Sequence, residues 1–180
     1  MQKTILYLTG FIPLLVIGIG MTACQATVTG RGVPESTEQV RTGYVLKLNR
    51  EISIPATSAS VILQNGQIQG GSSVDRFRAS CHIVMQQIKQ TSQRVTPDEF
   101  IITGVRYWED FAGFGYRTPL SGPEFIKYEI EMRLHSDKQP NVHSLTCKHD
   151  DEDIYGRHLR MSEMQQALGD FAQIIKKTSK

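Results

Sequence analysis

The clearest alternation of apolar and polar positions runs from Ile126 to His135. Ile126, Tyr128, Ile130, Met132 and Leu134 share one parity, and Lys127, Glu129, Glu131, Arg133 and His135 the other. A period of two predicts a strand with one buried and one wet face. Shorter runs of the same kind predict strands at Tyr44 to Leu48, Glu51 to Ile54 (ended by Pro55), Ser60 to Gln64, Gln67 to Gln69, Ala79 to Ile88, Phe100 to Trp108 and Val142 to Lys148. Asn65-Gly66 lies between two of them, and both residue types tolerate the positive φ of a type I′ turn, so a hairpin is expected there. The short connection Ser136 to Asn141 predicts that the two strands flanking it pair side by side. In the second of them His143, Leu145 and Cys147 would face inward.

The period changes at the C-terminus. Met164, Ala167, Leu168, Phe171, Ile174 and Ile175 recur at helical spacing, which predicts an amphipathic helix over Ser162 to Lys177. Ser162 with Gln165 is its capping-box candidate, and Lys176 and Lys177 would complement the negative end of its dipole. Together these elements predict a mainly β domain over residues 43–180: an antiparallel β-sandwich or open barrel with one C-terminal amphipathic helix.

The opening MQKTILYLTGFIPLLVIGIGMTACQ has a different character. Lys3 is followed by an apolar run from Ile5 to Gly20, broken only by Thr9 and interrupted by Pro13 and glycines, and no acidic residue precedes Glu35. This is the profile of a secretory signal peptide, with an uncleaved anchor as the competing reading. Met21-Thr22-Ala23-Cys24 resembles the lipobox of bacterial lipoproteins, with Met21 where leucine is commonest. The resemblance implies that residues 1–23 are removed and that Cys24 becomes a lipidated N-terminus held by several acyl chains. Two or more chains make membrane attachment effectively permanent. Gln25 after the cysteine, by the same analogy, implies the periplasmic face of the outer membrane. Residues 24–42 are polar, rich in Thr and Gly and without apolar periodicity, and are expected to be a flexible tether of about 25 Å r.m.s. span.

Composition narrows the rest. The chain carries 20 Lys and Arg against 18 Asp and Glu, a near-neutral balance with no basic cluster for nucleic acid. With Cys24 assigned to lipid, Cys81 and Cys147 are left in an oxidising compartment. A disulfide between them is the simplest assignment, closing a loop of about 67 residues worth roughly 4 kcal/mol. A buried free pair is the alternative.

Candidate chemistry is sparse. Tyr107 to Phe125 (YWEDFAGFGYRTPLSGPEF) is expected to form a long loop between two strands, and connections of that length are usually functional or disordered. Tyr107, Trp108, Phe111, Phe114 and Tyr116 crowd into it beside Arg117. Such rings either anchor a partner and stack on sugar faces or tuck into a satellite core. His149-Asp150-Asp151-Glu152-Asp153 invites a calcium reading, but laid on the EF-hand pattern from Asp151 it offers Tyr155 and Ser162 where carboxylates or amides belong, so an acidic solvated loop is expected. A grouping of His135, His143 and His149 would require the predicted strand pair. No zinc-protease helix, nucleophile elbow, P-loop or dinucleotide glycine motif is present, so no catalytic residue, metal or cofactor is predicted.

The hairpin Val61-Ile62-Leu63-Gln64-Asn65-Gly66, Phe77-Arg78 ahead of Cys81, and Leu134-His135-Ser136 leading to Leu145-Thr146-Cys147 resemble small envelope lipoproteins of Gram-negative bacteria that have no established activity. The resemblance implies a shared fold. The resulting expectation is a non-catalytic binding or accessory module acting on an envelope protein. An envelope hydrolase or glycan-modifying enzyme, or a carrier of a small ligand or lipid, are the alternatives.

Overall fold

The computed structural model describes residues 39–112, 125–152 and 156–177. The expected signal peptide, Cys24 and the tether up to residue 38 lie outside them, as do Phe114, Tyr116 and Arg117 of the aromatic stretch. In chain order the elements are β1 (Val45–Leu48), β2 (Ile52–Ile54), β3 (Ser60–Gln64), β4 (Gln67–Gln69), β5 (Ser80–Met85), β6 (Gln93–Val95), β7 (Asp98–Ala112), β8 (Phe125–His135), β9 (Val142–Asp151), α1 (Met161–Leu168) and β10 (Ala172–Ile175).

Eight strands form one antiparallel sheet in the order β10-β1-β7-β8-β9-β5-β3-β4, curled as a half-barrel, and β2 and β6 pair separately. The domain is therefore mainly β and open, with one helix near the C-terminus. Alternation decides which face is buried. In β8 every apolar position from Ile126 to Leu134 is buried, while the charged positions between them are half-buried or exposed. Leu63, Ile83, Ile130, Met132 and Leu145 are at most 2% exposed and share a core with Met164 and Leu168 of α1. Burying each such side chain contributes about 1.5–3 kcal/mol. Cys81 and Cys147 stand directly opposite each other in the β5/β9 ladder, Cα atoms 4.0 Å apart, and form the disulfide.

The Asn-Gly hairpin is present: Asn65 (φ 52°) and Gly66 (φ 69°) both adopt the left-handed conformation between β3 and β4. Pairing of β8 with β9 is present too, but the inward set in β9 differs. A register shift at Val84/Met85 brings Val142 opposite Met85, so Val142 is buried and His143 only half-buried. The extra residue of a bulge reverses the parity beyond it.

The expected C-terminal helix ends early. After Leu168 the chain passes through Gly169 (φ 54°) and becomes β10, in which Ala172 and Ile174 are buried opposite Leu48 and Leu46. Phe171, Ile174 and Ile175 fit a helical period as well as a strand, and a run this short is assigned by its neighbour: β1 offers an unpaired edge. The helix N-terminus also differs. Ser162 is exposed, and the Glu163 carboxylate reaches back to accept the Arg160 backbone N–H at 2.7 Å. The strand β6, not expected from sequence, is only three residues long, yet it places Val95 beside Ile52 in an apolar contact fully shielded from solvent. Val40, expected in the tether, is 3% exposed and belongs to the core.

Candidate functional site

The aromatic stretch begins as strand. β7 continues to Ala112 and pairs with β8 as far as Ala112 opposite Phe125, where a loop from Tyr107 was expected. Alternation of Arg106, Trp108 and Asp110 with Tyr107 and Glu109 accounts for it, because each finds a register partner on β8. On its other side β7 pairs with β1 only over Asp98 to Ile101, followed by a bond from Ile102 N–H to the Tyr44 carbonyl. Beyond that point this edge of β7 carries no strand neighbour among the described residues.

The ribbon has two different faces. Outward stand Arg106, Trp108 and Asp110, opposite Glu131, Glu129 and Lys127, with the Lys127 ammonium 3.5 Å from Asp110 and 3.9 Å from Glu129. Trp108 is 50% exposed in the midst of these charges. Tyr107 has the opposite parity, so the two rings expected to act together are separated by the sheet. Phe111 occupies the register position opposite Ile126.

Inward lies a stack that sequence did not indicate. The buried Tyr128 ring is covered by the His149 imidazole at 5.5 Å between centroids, with planes 22° apart. His158 meets Tyr128 edge-on at 5.4 Å and Tyr107 at 5.1 Å. The Tyr107 hydroxyl donates to the Val40 carbonyl at 3.1 Å, and His158 Nε2 is 3.2 Å from Glu109 Oε1. Burial pushes the Tyr107 hydroxyl up, against the opposing effect of Arg41. Burial pulls the His149 imidazole below its ordinary value, opposed chiefly by Glu163. Nδ1 of His149 and Nδ1 of His158 are shielded from solvent and have no hydrogen-bond partner among the described residues. His135 is not part of this group, since the β8/β9 register puts His149 opposite Tyr128 at the far end of the strand.

Beside the stack opens a cleft of about 400 Å³, bounded by Asn65 of the hairpin turn, Phe77 and Arg78 of the loop before β5, His149 of β9, and Glu163 and Gln166 of α1. Its walls are fixed by hydrogen bonds. The buried Gln64 amide donates to the Asp75 carbonyl at 2.8 Å and accepts the Asp75 N–H at 3.0 Å, which holds the loop carrying Phe77. The Arg76 guanidinium meets Asp150 at 2.5 Å and tethers the same loop to β9. Asp150 and Asp151 therefore belong to a strand, where an acidic solvated loop was expected. On the helix side Arg157 grips both oxygens of Glu163 at 2.8 Å. Those bonds, with the Arg160 N–H, hold the Glu163 carboxyl at about 2 despite opposing burial.

A neutral imidazole such as His149 can accept a proton. Glu163, committed as an anion to Arg157, is ill suited to give or take one near neutral pH. Among the described residues, the cleft lining contains no serine, threonine or cysteine to pair with His149 as a nucleophile. No three His, Cys, Asp or Glu side chains converge as a metal set among the described residues. What the cleft does offer is hydrogen-bond donors and acceptors beside an aromatic ring. Sequence reasoning missed Gln64, Phe77, Glu163 and Gln166. The Asn-Gly hairpin was the one available signal, since it fixes where Asn65 points the turn. No protein-family model, curated protein or solved structure matches the chain.

Proposed function

We propose that the protein is an outer-membrane lipoprotein, anchored through Cys24 and facing the periplasm, whose β domain serves as a non-catalytic binding or accessory module for an envelope protein. The observation that carries this reading is Trp108, half exposed on a strand whose outer edge has no described strand neighbour beyond Ile102. An exposed tryptophan is a strong interface anchor, and an open strand edge offers backbone N–H and C=O groups to an added strand. The lipobox resemblance supports the location.

A photo-crosslinking residue in place of Trp108, in cells making the full lipoprotein, is expected to capture one discrete envelope protein. Trp108→Ala is expected to abolish co-purification of that protein while leaving thermal stability unchanged, because the ring is outside the core. Absence of any specific crosslink, or co-purification unaffected by Trp108→Ala, would sink the reading. Cys24→Ala tests the anchor: labelled fatty acid fed to cells should mark the parent and not the variant.

One observation favours the enzymatic alternative, the partly buried His149 lining a cleft. Loss of a measured hydrolytic activity on envelope glycans in His149→Gln, with folding intact, would establish it.

A further inference from the structure

We infer that the cleft between the Asn65 turn, the Phe77 loop and α1 binds a saccharide carrying an acetamido group. This site is separate from the Trp108 contact.

The chemistry of the lining selects the ligand class. Arg78 and Glu163 stand on the rim with opposite charges, and each has an ionic partner, Asp75 at 3.4 Å and Arg157 at 2.8 Å. A strongly anionic ligand would meet Glu163 and a cationic one Arg78, so neither is favoured. An apolar ligand would strand the polar groups of the cleft without water, which is costly. A sugar ring avoids all three difficulties, because its hydroxyls satisfy mixed donors and acceptors while its C–H face lies flat on an aromatic ring.

Phe77 supplies that ring. It is 44% exposed, yet it is held in place edge-on against Phe125 at 5.3 Å and by the Arg76 guanidinium at 5.4 Å. Arg76 in turn is fixed over Phe125 at 4.2 Å and to Asp150. With an edge contact on one side and the Arg76 guanidinium over one face of the ring, the exposed side chain is pre-organised, loses little entropy on binding and leaves its other face for the sugar. The amides of Asn65 and Gln166 are exposed, line the cleft and have no side-chain hydrogen bond among the described residues. Each offers a carbonyl acceptor and N–H donors, the complement of an acetamido group's N–H and C=O. The turn bearing Asn65 is anchored to the helix by Gly66 N–H donating to the Ala167 carbonyl at 3.0 Å, so the backbones that carry the two amides keep a fixed relation. A volume of about 400 Å³ lies within the range of about 300–1,000 Å³ of small-ligand clefts.

The test is saturation-transfer NMR on the full lipoprotein in a detergent without a sugar headgroup, with N,N′-diacetylchitobiose as ligand and cellobiose as its counterpart lacking the acetamido groups. The expected result is transfer to the acetyl methyl and ring protons of the first and at least about tenfold weaker binding of the second. Phe77→Ala and Gln166→Ala should each weaken binding about tenfold, the former by removing the stacking surface. Both side chains lie outside the core, so melting temperatures should match the parent; Trp108→Ala should bind the sugar as the parent does. No transfer to either disaccharide, or unchanged binding in both Phe77→Ala and Gln166→Ala, overturns the inference. Equal binding of cellobiose overturns the acetamido assignment.

Discussion

Gly66 and Gly169 face each other across the junction of the β3–β4 turn and the end of α1, so closely that a β-carbon on Gly66 would lie 3.2 Å from the Gly169 α-carbon. A β-carbon on Gly169 would collide with Gly66 more severely, and Gly169 has a backbone conformation (φ 54°, ψ −135°) closed to other residues. Gly169→Ala is therefore expected to destabilise the domain by about 3 kcal/mol, from strain and collision together. Urea unfolding of the variant checks this. A midpoint within error of the parent would show that the two backbones can separate freely.

Gln64 is 3% exposed and its amide serves several backbone groups of the loop at 75–79. Gln64→Leu keeps the bulk but removes the partner of a part-buried N–H and part-buried carbonyls, an expected loss of about 1–2 kcal/mol. Limited proteolysis should find new cleavage in residues 70–79. Unchanged protection of that loop would assign its order to the Arg76–Asp150 pair instead.

Cys81 and Cys147 are both fully buried, and their bridge spans a sequence separation of 66. Reductant should act on the native protein only through unfolding. The double variant Cys81→Ala with Cys147→Ala is expected to lose about 4 kcal/mol and about 10 °C of melting temperature. Calorimetry measures this, and thiol trapping before and after denaturation measures the protection.

Acid should weaken the fold in two stages. Burial, aided by Lys148, pulls the His82 imidazole from 6.5 to about 4. The unfolded chain takes up a proton below about 6.5 that the folded chain refuses until about 4, so stability present at neutral pH declines as pH falls through that window. His149 acts in the same direction. The His82 contribution is about 1–2 kcal/mol once its partial solvation is allowed for. Glu163, held at about 2, contributes above its unfolded value and loses that contribution as pH falls further. Denaturant midpoints measured from about pH 7.5 down to 4 should fall in the parent and fall less in His82→Gln. Parallel curves would remove His82 from the account.

The strands of β8, β3 and β4 were legible because their alternation is long or punctuated by Asn-Gly, and the Cys81 to Cys147 bridge because only two cysteines remained to pair. What failed has common physical causes. Phe171 to Ile175 satisfies both periods, and only the unpaired side of β1 decides between them. Tyr107 and Trp108 looked like one aromatic cluster because adjacency in sequence conceals the opposite faces of a strand. The cleft was illegible for a different reason: Asn65, Phe77, His149 and Gln166 lie far apart in the chain and meet only through the β3–β5–β9 pairings and the placement of α1. Gln64 carried no signal, since a polar residue at the end of a strand is ordinary until the loop that it holds is known.

The seating of β10 against β1, Leu46 opposite Ile174 and Leu48 opposite Ala172, joins the first and last described strands of the chain. Such a ladder has nearly the greatest sequence separation the domain allows, and loop closure over that span slows folding. A chain emerging N-terminus first therefore holds an unfinished β1 edge, with Leu46 and Leu48 uncovered on that side, until β10 arrives. During that interval the growing protein presents a sticky border suited to chaperone capture, and the cleft, whose helical wall immediately precedes β10, is completed only shortly before β10 itself.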